Sequence, residues 1–146
     1  MNLSEHFVLD EFVISQTATR QGIDNTPSPD VIARLTHLCR HILEPARQAL
    51  GPLHISSGYR CPELNRAVGG SPDSQHMLGY AADVVPVKAS KMELARWVVE
   101  HVPDFDQVIL EFGKPDNPAW IHLSANPRAR RAFLRTDGGS FVPVEL

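Results

Sequence analysis

Residues 28–50 carry a helix too long and too one-sided to stand alone. Ser28 takes the N-cap position, Pro29 the first helical position and Asp30 the first turn. Val31, Leu35, Leu38, Ile42, Ala46 and Ala49 then keep helical spacing until Gly51-Pro52 stops the run. Pro45, inside the run, removes one backbone donor and crowds the turn before it, so one long bent helix is predicted. An apolar stripe of that length must be buried against another element.

The rest of the chain offers a sheet to bury it on. Leu53–Ser57, Ala81–Val87, Gln107–Phe112 and Trp120–Ser124 read as strands. Turn-rich residues 113–119 join the last two into an antiparallel hairpin, and Asp137-Gly138-Gly139 joins Phe133–Arg135 to Phe141–Val144 in another at the sheet edge. Ser90-Lys91-Met92-Glu93 is a capping box opening a second helix with Leu94, Ala95, Val98 and Val99 inward, and Cys61–Val68 is a shorter helix. At the N-terminus, residues 3–14 form a short amphipathic piece with Phe7, Leu9, Phe12 and Ile14 towards the core, and residues 16–29 form a polar loop. The expected fold is α+β, a mainly antiparallel sheet with two or three helices packed on it, in one domain spanning residues 1–146.

Composition sets outer bounds on function. The chain is 42% hydrophobic and 21% charged, ordinary for a globular protein, and its net charge of −3 marks it for neither nucleic acid nor an anionic membrane. Arg128-Ala129-Arg130-Arg131 is a local basic cluster and reads as a solvated face. Cys39 and Cys61 lie in separate segments without metal-site spacing and are expected as free thiols. No apolar run long enough to span a bilayer occurs, and the N-terminus lacks the basic and apolar regions of a signal peptide. Synthesis in the cytoplasm is therefore expected, with no stable membrane insertion, and a substrate outside the cell would be reached only after release.

The chemistry concentrates in Ser74-Gln75-His76-Met77-Leu78-Gly79-Tyr80-Ala81-Ala82-Asp83. An imidazole and a carboxylate stand seven positions apart, with a glycine and two alanines between them that allow a tight turn and close packing. Both groups are zinc ligands, and His122 on the Trp120–Ser124 strand is a third candidate. Two histidines, one aspartate and a free fourth position describe a catalytic site better than a structural one. In a chain with seven histidines, any single one is more often an ordinary core or surface residue.

Three motifs in order decide between these readings. Ser57-Gly58-Tyr59-Arg60, Ser74-x-His76-x-x-Gly79-x-Ala81-x-Asp83 and Trp120-x-His122 resemble the zinc D-alanyl-D-alanine carboxypeptidase family, which includes L-alanyl-D-glutamate endopeptidases of phage lysis systems. The similarity runs from Leu3-Ser4-Glu5-His6-Phe7 to about Asn126 and is nearest to the short single-domain phage and prophage branch. The resemblance implies a Hedgehog/D-Ala-D-Ala-peptidase-like fold and one Zn²⁺ held by His76, Asp83 and His122. It implies that Arg60 binds the scissile carbonyl oxygen and that Ser74 and Tyr59 contact substrate, a peptidoglycan stem peptide. A monomer is expected.

Two positions depart from the family pattern. Many relatives carry an acidic residue three before the final histidine, where this chain has Ala119; Glu111 is the expected general base instead, with Asp116 its rival. Tyr80 stands where relatives often have a charged or polar residue. His6, His37, His41, His54 and His101 are read as non-ligands. The alternative to a peptidase is a non-catalytic zinc or cell-wall binding module on the same scaffold.

Overall fold

The computed structural model describes residues 1–145. The long helix forms as α3 (Pro29–Leu38), a π-helical segment (Cys39–Leu43) and α4 (Glu44–Leu50), continuous and capped by the Ser28 hydroxyl. The π segment is how the chain accommodates Pro45. The Glu44 N–H reaches back to the Cys39 carbonyl, and the widened turn takes up the bond and the space that the proline ring denies an α-helix.

Glu44 itself is buried, an unusual place for a carboxylate, and it is satisfied from the N-terminal segment. The Ser4 hydroxyl, the His6 N–H and His6 Nδ1 all bond it. Burial pushes its carboxyl up, but these bonds and the His6 charge outweigh that and hold it below its ordinary value. The Leu3–Phe7 opening is thereby pinned to the long helix, with Leu3 and Phe7 in the core. Ile14 was expected there too but is 79% exposed. Helix α1 (Asp10–Val13) is a single turn, and the chain leaves it extended at Ile14, so Val13 packs inward instead.

The sheet has six strands in the order β1-β2-β4-β3-β5-β6. They are β1 (Leu53–Ser57), β2 (Ala81–Pro86), β3 (Gln107–Glu111), β4 (Trp120–Ser124), β5 (Ala132–Thr136) and β6 (Phe141–Pro143). Every pairing is antiparallel except β3 with β5. Both expected hairpins form, β3–β4 and the edge pair β5–β6. The alternation of side chains sorts the two faces: Ala82, Val84, Val108, Leu110, Ile121 and Leu123 join the hydrophobic core. The long helix and α6 (Lys91–His101), which opens with the Ser90/Glu93 capping box, pack on that side. The fold is α+β, as expected.

Four shorter elements complete it: α1, α2 (Gln16–Gln21), α5 (Pro62–Ala67) and one 3-10 turn (Gln75–Met77). Helix α2 lies inside the stretch expected to be loop. Ser15 caps its start and Gly22 its end, and Ala18 and Ile23 close a small second cluster with Leu64. Both cysteines are free; Cys39 is buried, which with nearby Glu11 and Glu44 pushes its thiol up to about 12. No helix among the described residues is long and apolar enough to cross a membrane.

The basic cluster is exposed, yet two of its arginines also hold the chain together. Arg130 grips fully buried Asp106 through Nε and Nη2, each at 2.8 Å, and its backbone N–H adds a third bond. Arg131 donates to the Val99, Val102 and Pro103 carbonyls at the end of α6 and lies over Phe105. The two arginines fasten the crossover that carries β5 alongside β3 in parallel. Charge that looks surplus in the sequence is thus spent on an internal carboxylate and a helix terminus.

Candidate metal centre

The face of the sheet away from the helices carries Asp83, His122 and Glu111. Asp83 in β2 and His122 in β4 are direct register partners, so their side chains rise side by side. In β3, Ile109 pairs with His122 and Glu111 with Trp120. Period-two alternation therefore puts Glu111 on the face that bears His122.

His76 arrives from outside the sheet, on the 3-10 turn. Ser74 caps that turn, its Oγ accepting from the His76 N–H, and the Arg60 N–H donates to the His76 carbonyl. Gly79 makes the return to β2 possible. Its φ is +83°, and a Cβ there would meet the Val31 carbonyl at 2.9 Å. The close approach anticipated for the small residues is thus made by the long helix.

The three donors converge. Asp83 Oδ1 lies 3.2 Å from His76 Nε2 and 3.2 Å from His122 Nδ1. The side chains are all buried, and one donor atom from each falls within 4.8 Å of the others. His76 Nδ1 is 2.7 Å from the Gly58 carbonyl. A carbonyl can only accept, so Nδ1 carries the hydrogen and the Nε2 lone pair faces the carboxylate. A lone pair and a carboxylate oxygen so close require a cation or a proton between them. The donor set of two imidazole nitrogens and one carboxylate oxygen fits a divalent metal such as zinc.

The electrostatics agree with a cation site. Burial pushes the Asp83 carboxyl up, but the charges and hydrogen bonds of His76 and His122 overcome it and hold the group well below the ordinary carboxylate range. Glu111 goes the other way: burial, reinforced by the Asp83 charge, raises its carboxyl above its usual value. Glu111 Oε2 stands 3.6 Å from His122 Nδ1, and Oε1 accepts from Trp120 Nε1 at 3.1 Å. Arg60 donates from Nη2 to Ser74 Oγ at 3.2 Å; burial lowers its guanidinium against the opposing pull of Asp83 and Glu111.

All of these line one groove of about 760 Å³, with Arg60, Ser74 and Trp120 along its walls. One expectation is corrected here. Tyr59 does not line the groove; its ring is packed in the core, and its backbone bonds Phe12 and Asn25. Tyr80 lies outside the groove as well, under the Arg34 guanidinium. Asp116 is exposed at the tip of the β3–β4 hairpin, away from the donors.

The remaining histidines are placed apart from this cluster. His37 and His41 stack on each other, and His41 pairs with Asp104. Among the described residues one other group of donors is close enough to share an ion: Glu5, His6 and Glu44. There the hydrogen bonds that anchor the N-terminus already occupy Glu44. Sequence reasoning missed Trp120 as the group that holds Glu111, and it missed Gln75. Gln75 Nε2 donates to Asp106 and Gln107, tying the His76 turn to the Arg130 crossover. The i, i+2 step from Trp120 to His122 is the only sequence trace of the first, and nothing local marks the second.

The family model for Peptidase M15 matches residues 5–124, most of the chain. The chain belongs to the Peptidase M15 family. That is the family its three motifs resemble, and membership places this M15 chain among peptide-bond hydrolases. No curated protein matches it. A similar solved structure is that of the LdcB LD-carboxypeptidase, described as revealing the molecular basis of peptidoglycan recognition. It is 21% identical, with 72% of this chain and 67% of that chain covered and a TM-score of 0.42.

Proposed function

We propose that this M15 chain is a zinc-dependent peptidase that cleaves peptidoglycan stem peptides next to a D-residue. It would act as a D-Ala-D-Ala carboxypeptidase or L-Ala-D-Glu endopeptidase of the lysin type. The observation that carries the reading is the meeting of His76 Nε2, Asp83 Oδ1 and His122 Nδ1 beside Glu111 in one groove. The substrate class rests on the motif resemblance.

His76, Asp83 and His122 would hold the ion. Zn²⁺ bound there lowers the pKa of a water towards 7 and polarises the peptide carbonyl. The rest of the work falls to side chains. Glu111, kept basic by burial and aimed by Trp120, takes the proton from the attacking water and returns it to the leaving amine. Arg60, braced by Ser74, sets a fixed positive charge against the oxygen on which negative charge develops. The Gly58 carbonyl holds the His76 ring in one tautomer and orientation.

The test has two arms. Metal analysis of protein purified without chelator should find one zinc per chain. Mass spectrometry of muropeptides after incubation with purified cell walls should find shortened stem peptides. Zinc with wall binding but no new amino termini would instead support the non-catalytic module. Absence of bound metal after zinc addition would refute the reading.

A further inference from the structure

Strand β3 runs along the groove and gives it an axis. Gln107, Ile109 and Glu111 face the groove, and Ile109 lies opposite His122, so the donor cluster stands at mid-length. Beyond Gln107 the wall is polar and cationic, with Arg128 and Arg130. Beyond Glu111 it is aromatic, with Phe112, Trp120 and Phe141. Four residue steps along the strand separate the two ends, roughly 13 Å.

Phe112 is the odd member of that wall. Its φ is +58°, a left-handed conformation disfavoured for a bulky L side chain, and the next residue, Gly113, is left-handed too. The residue is 43% exposed, although it directly follows Glu111. It rests 5.2 Å from Trp120, centroid to centroid, and against a turn left bare at Gly138, where a Cβ would approach it to 3.2 Å. The backbone here needs only its N–H, which bonds the Thr136 carbonyl and which any residue but proline supplies. A strained backbone holding a half-solvated ring beside a reactive carboxylate is the pattern of a site kept for binding rather than for folding.

We infer that Phe112 is a specificity-determining residue: with Trp120 and Phe141 it forms an apolar wall for an uncharged aliphatic side chain flanking the cleaved bond. A substrate carboxylate lies towards Arg128 at the other end. The inference rests on the peptidase reading above. An alanine methyl is the smallest group such a wall recognises, and a glycine at that place leaves the rings in contact with water.

Synthetic stem pentapeptides, in which each alanine in turn is replaced by glycine, test this on wild type, Phe112→Gly and Phe112→Leu. Wild type should favour alanine over glycine at one position by about ten-fold in kcat/KM, the low end for one carbon in an apolar pocket. Phe112→Gly should bring that ratio close to one while unfolding at the same temperature as wild type or higher, since glycine adopts the left-handed conformation freely. Phe112→Leu should keep part of the preference. An unchanged ratio in Phe112→Gly overturns the inference alone, and so does a lower unfolding temperature with the ratio intact. Failure of wild type to cut any of the peptides overturns the peptidase reading itself.

Discussion

Replacing Arg130 with methionine isolates the buried carboxylate that anchors the site from below. Asp106 is fully buried and accepts four bonds: Arg130 Nε and Nη2 at 2.8 Å, the Arg130 N–H at 3.1 Å and Gln75 Nε2 at 3.0 Å. The substitution keeps the aliphatic stem and the two weaker bonds but removes both charge-assisted ones. Removing one partner of a buried pair costs about 3–5 kcal/mol; the lower figure applies here, because water reaches the 36% exposed guanidinium and makes the intact pair weaker. At about 2–4 °C per kcal/mol for a chain of this size, the unfolding temperature should fall by about 6–12 °C. The pH dependence is the sharper test. In wild type, burial pushes the Asp106 carboxyl up, but the Arg130 and Gln75 bonds hold it below its ordinary 3.8. A depressed folded value means stability present above 3.8 and lost as pH falls through the folded value. In the variant only the two weaker bonds oppose burial, so the folded value rises above that of wild type and less stability is lost as the pH falls. The deficit against wild type, read by thermal denaturation from pH 7 to pH 3, should be largest at neutral pH and shrink towards acid. A constant deficit across that range would mean that the carboxylate charge plays no part, and one under about 1 kcal/mol is what an exposed pair gives; either result would refute the argument.

Glu111→Gln should keep one zinc per chain and lose about 10²–10⁴-fold in kcat, checked by metal analysis with muropeptide assays. Activity retained in that variant would move the base to another acid. Gly79→Ala forces a side chain into a left-handed turn against the Val31 carbonyl, so the turn bearing His76 must shift. It should unfold earlier by at least about 1 kcal/mol and bind zinc more weakly, read by denaturation and metal titration. Glu44→Ala leaves the Ser4 and His6 donors without their acceptor and should free the first residues to limited proteolysis, with the groove chemistry intact in the folded fraction.

What could be read before the fold was known follows the range of the interactions involved. Caps, breakers and periodicity are local, so the Ser28-Pro29-Asp30 start, the Ser90/Glu93 box and the β3–β4 hairpin were all legible. The π turn ahead of Pro45 was legible as a bend though not as a widened turn, because the choice depends on what the helix packs against. The candidate donors stand in three motifs, but their mutual placement is a matter of register. Glu111 could be named; its position opposite Trp120 could not. The grip of Arg130 on Asp106 was not legible, because the two are 24 residues apart and nothing in a run of arginines says which will meet a buried carboxylate. Tyr59 was misread for the reverse reason. It adjoins Arg60, and adjacent residues of an extended segment point to opposite sides, one to the groove and one to the core.

The three donors are not held with equal firmness, and this decides where the site is vulnerable. Asp83 and His122 belong to β2 and β4, each bordered on both sides by other strands, and face each other in direct register. The sheet fixes their separation. His76 comes from a single turn with no strand to hold it, and its place depends on four contacts from different parts of the chain. They are the Gly58 carbonyl on its ring, the Arg60 N–H on its carbonyl, the Ser74 cap, and the Gln75 link to Asp106. Two of these residues, Arg60 and Ser74, are also the ones proposed to meet the substrate. A peptide engaging Arg60 and Ser74 therefore acts on the same turn that delivers His76, which couples substrate binding to metal affinity through one short segment. Metal should leave more slowly when a non-cleaved peptide is bound, and the difference should fade in Arg60→Met, where the side chain can no longer bond Ser74.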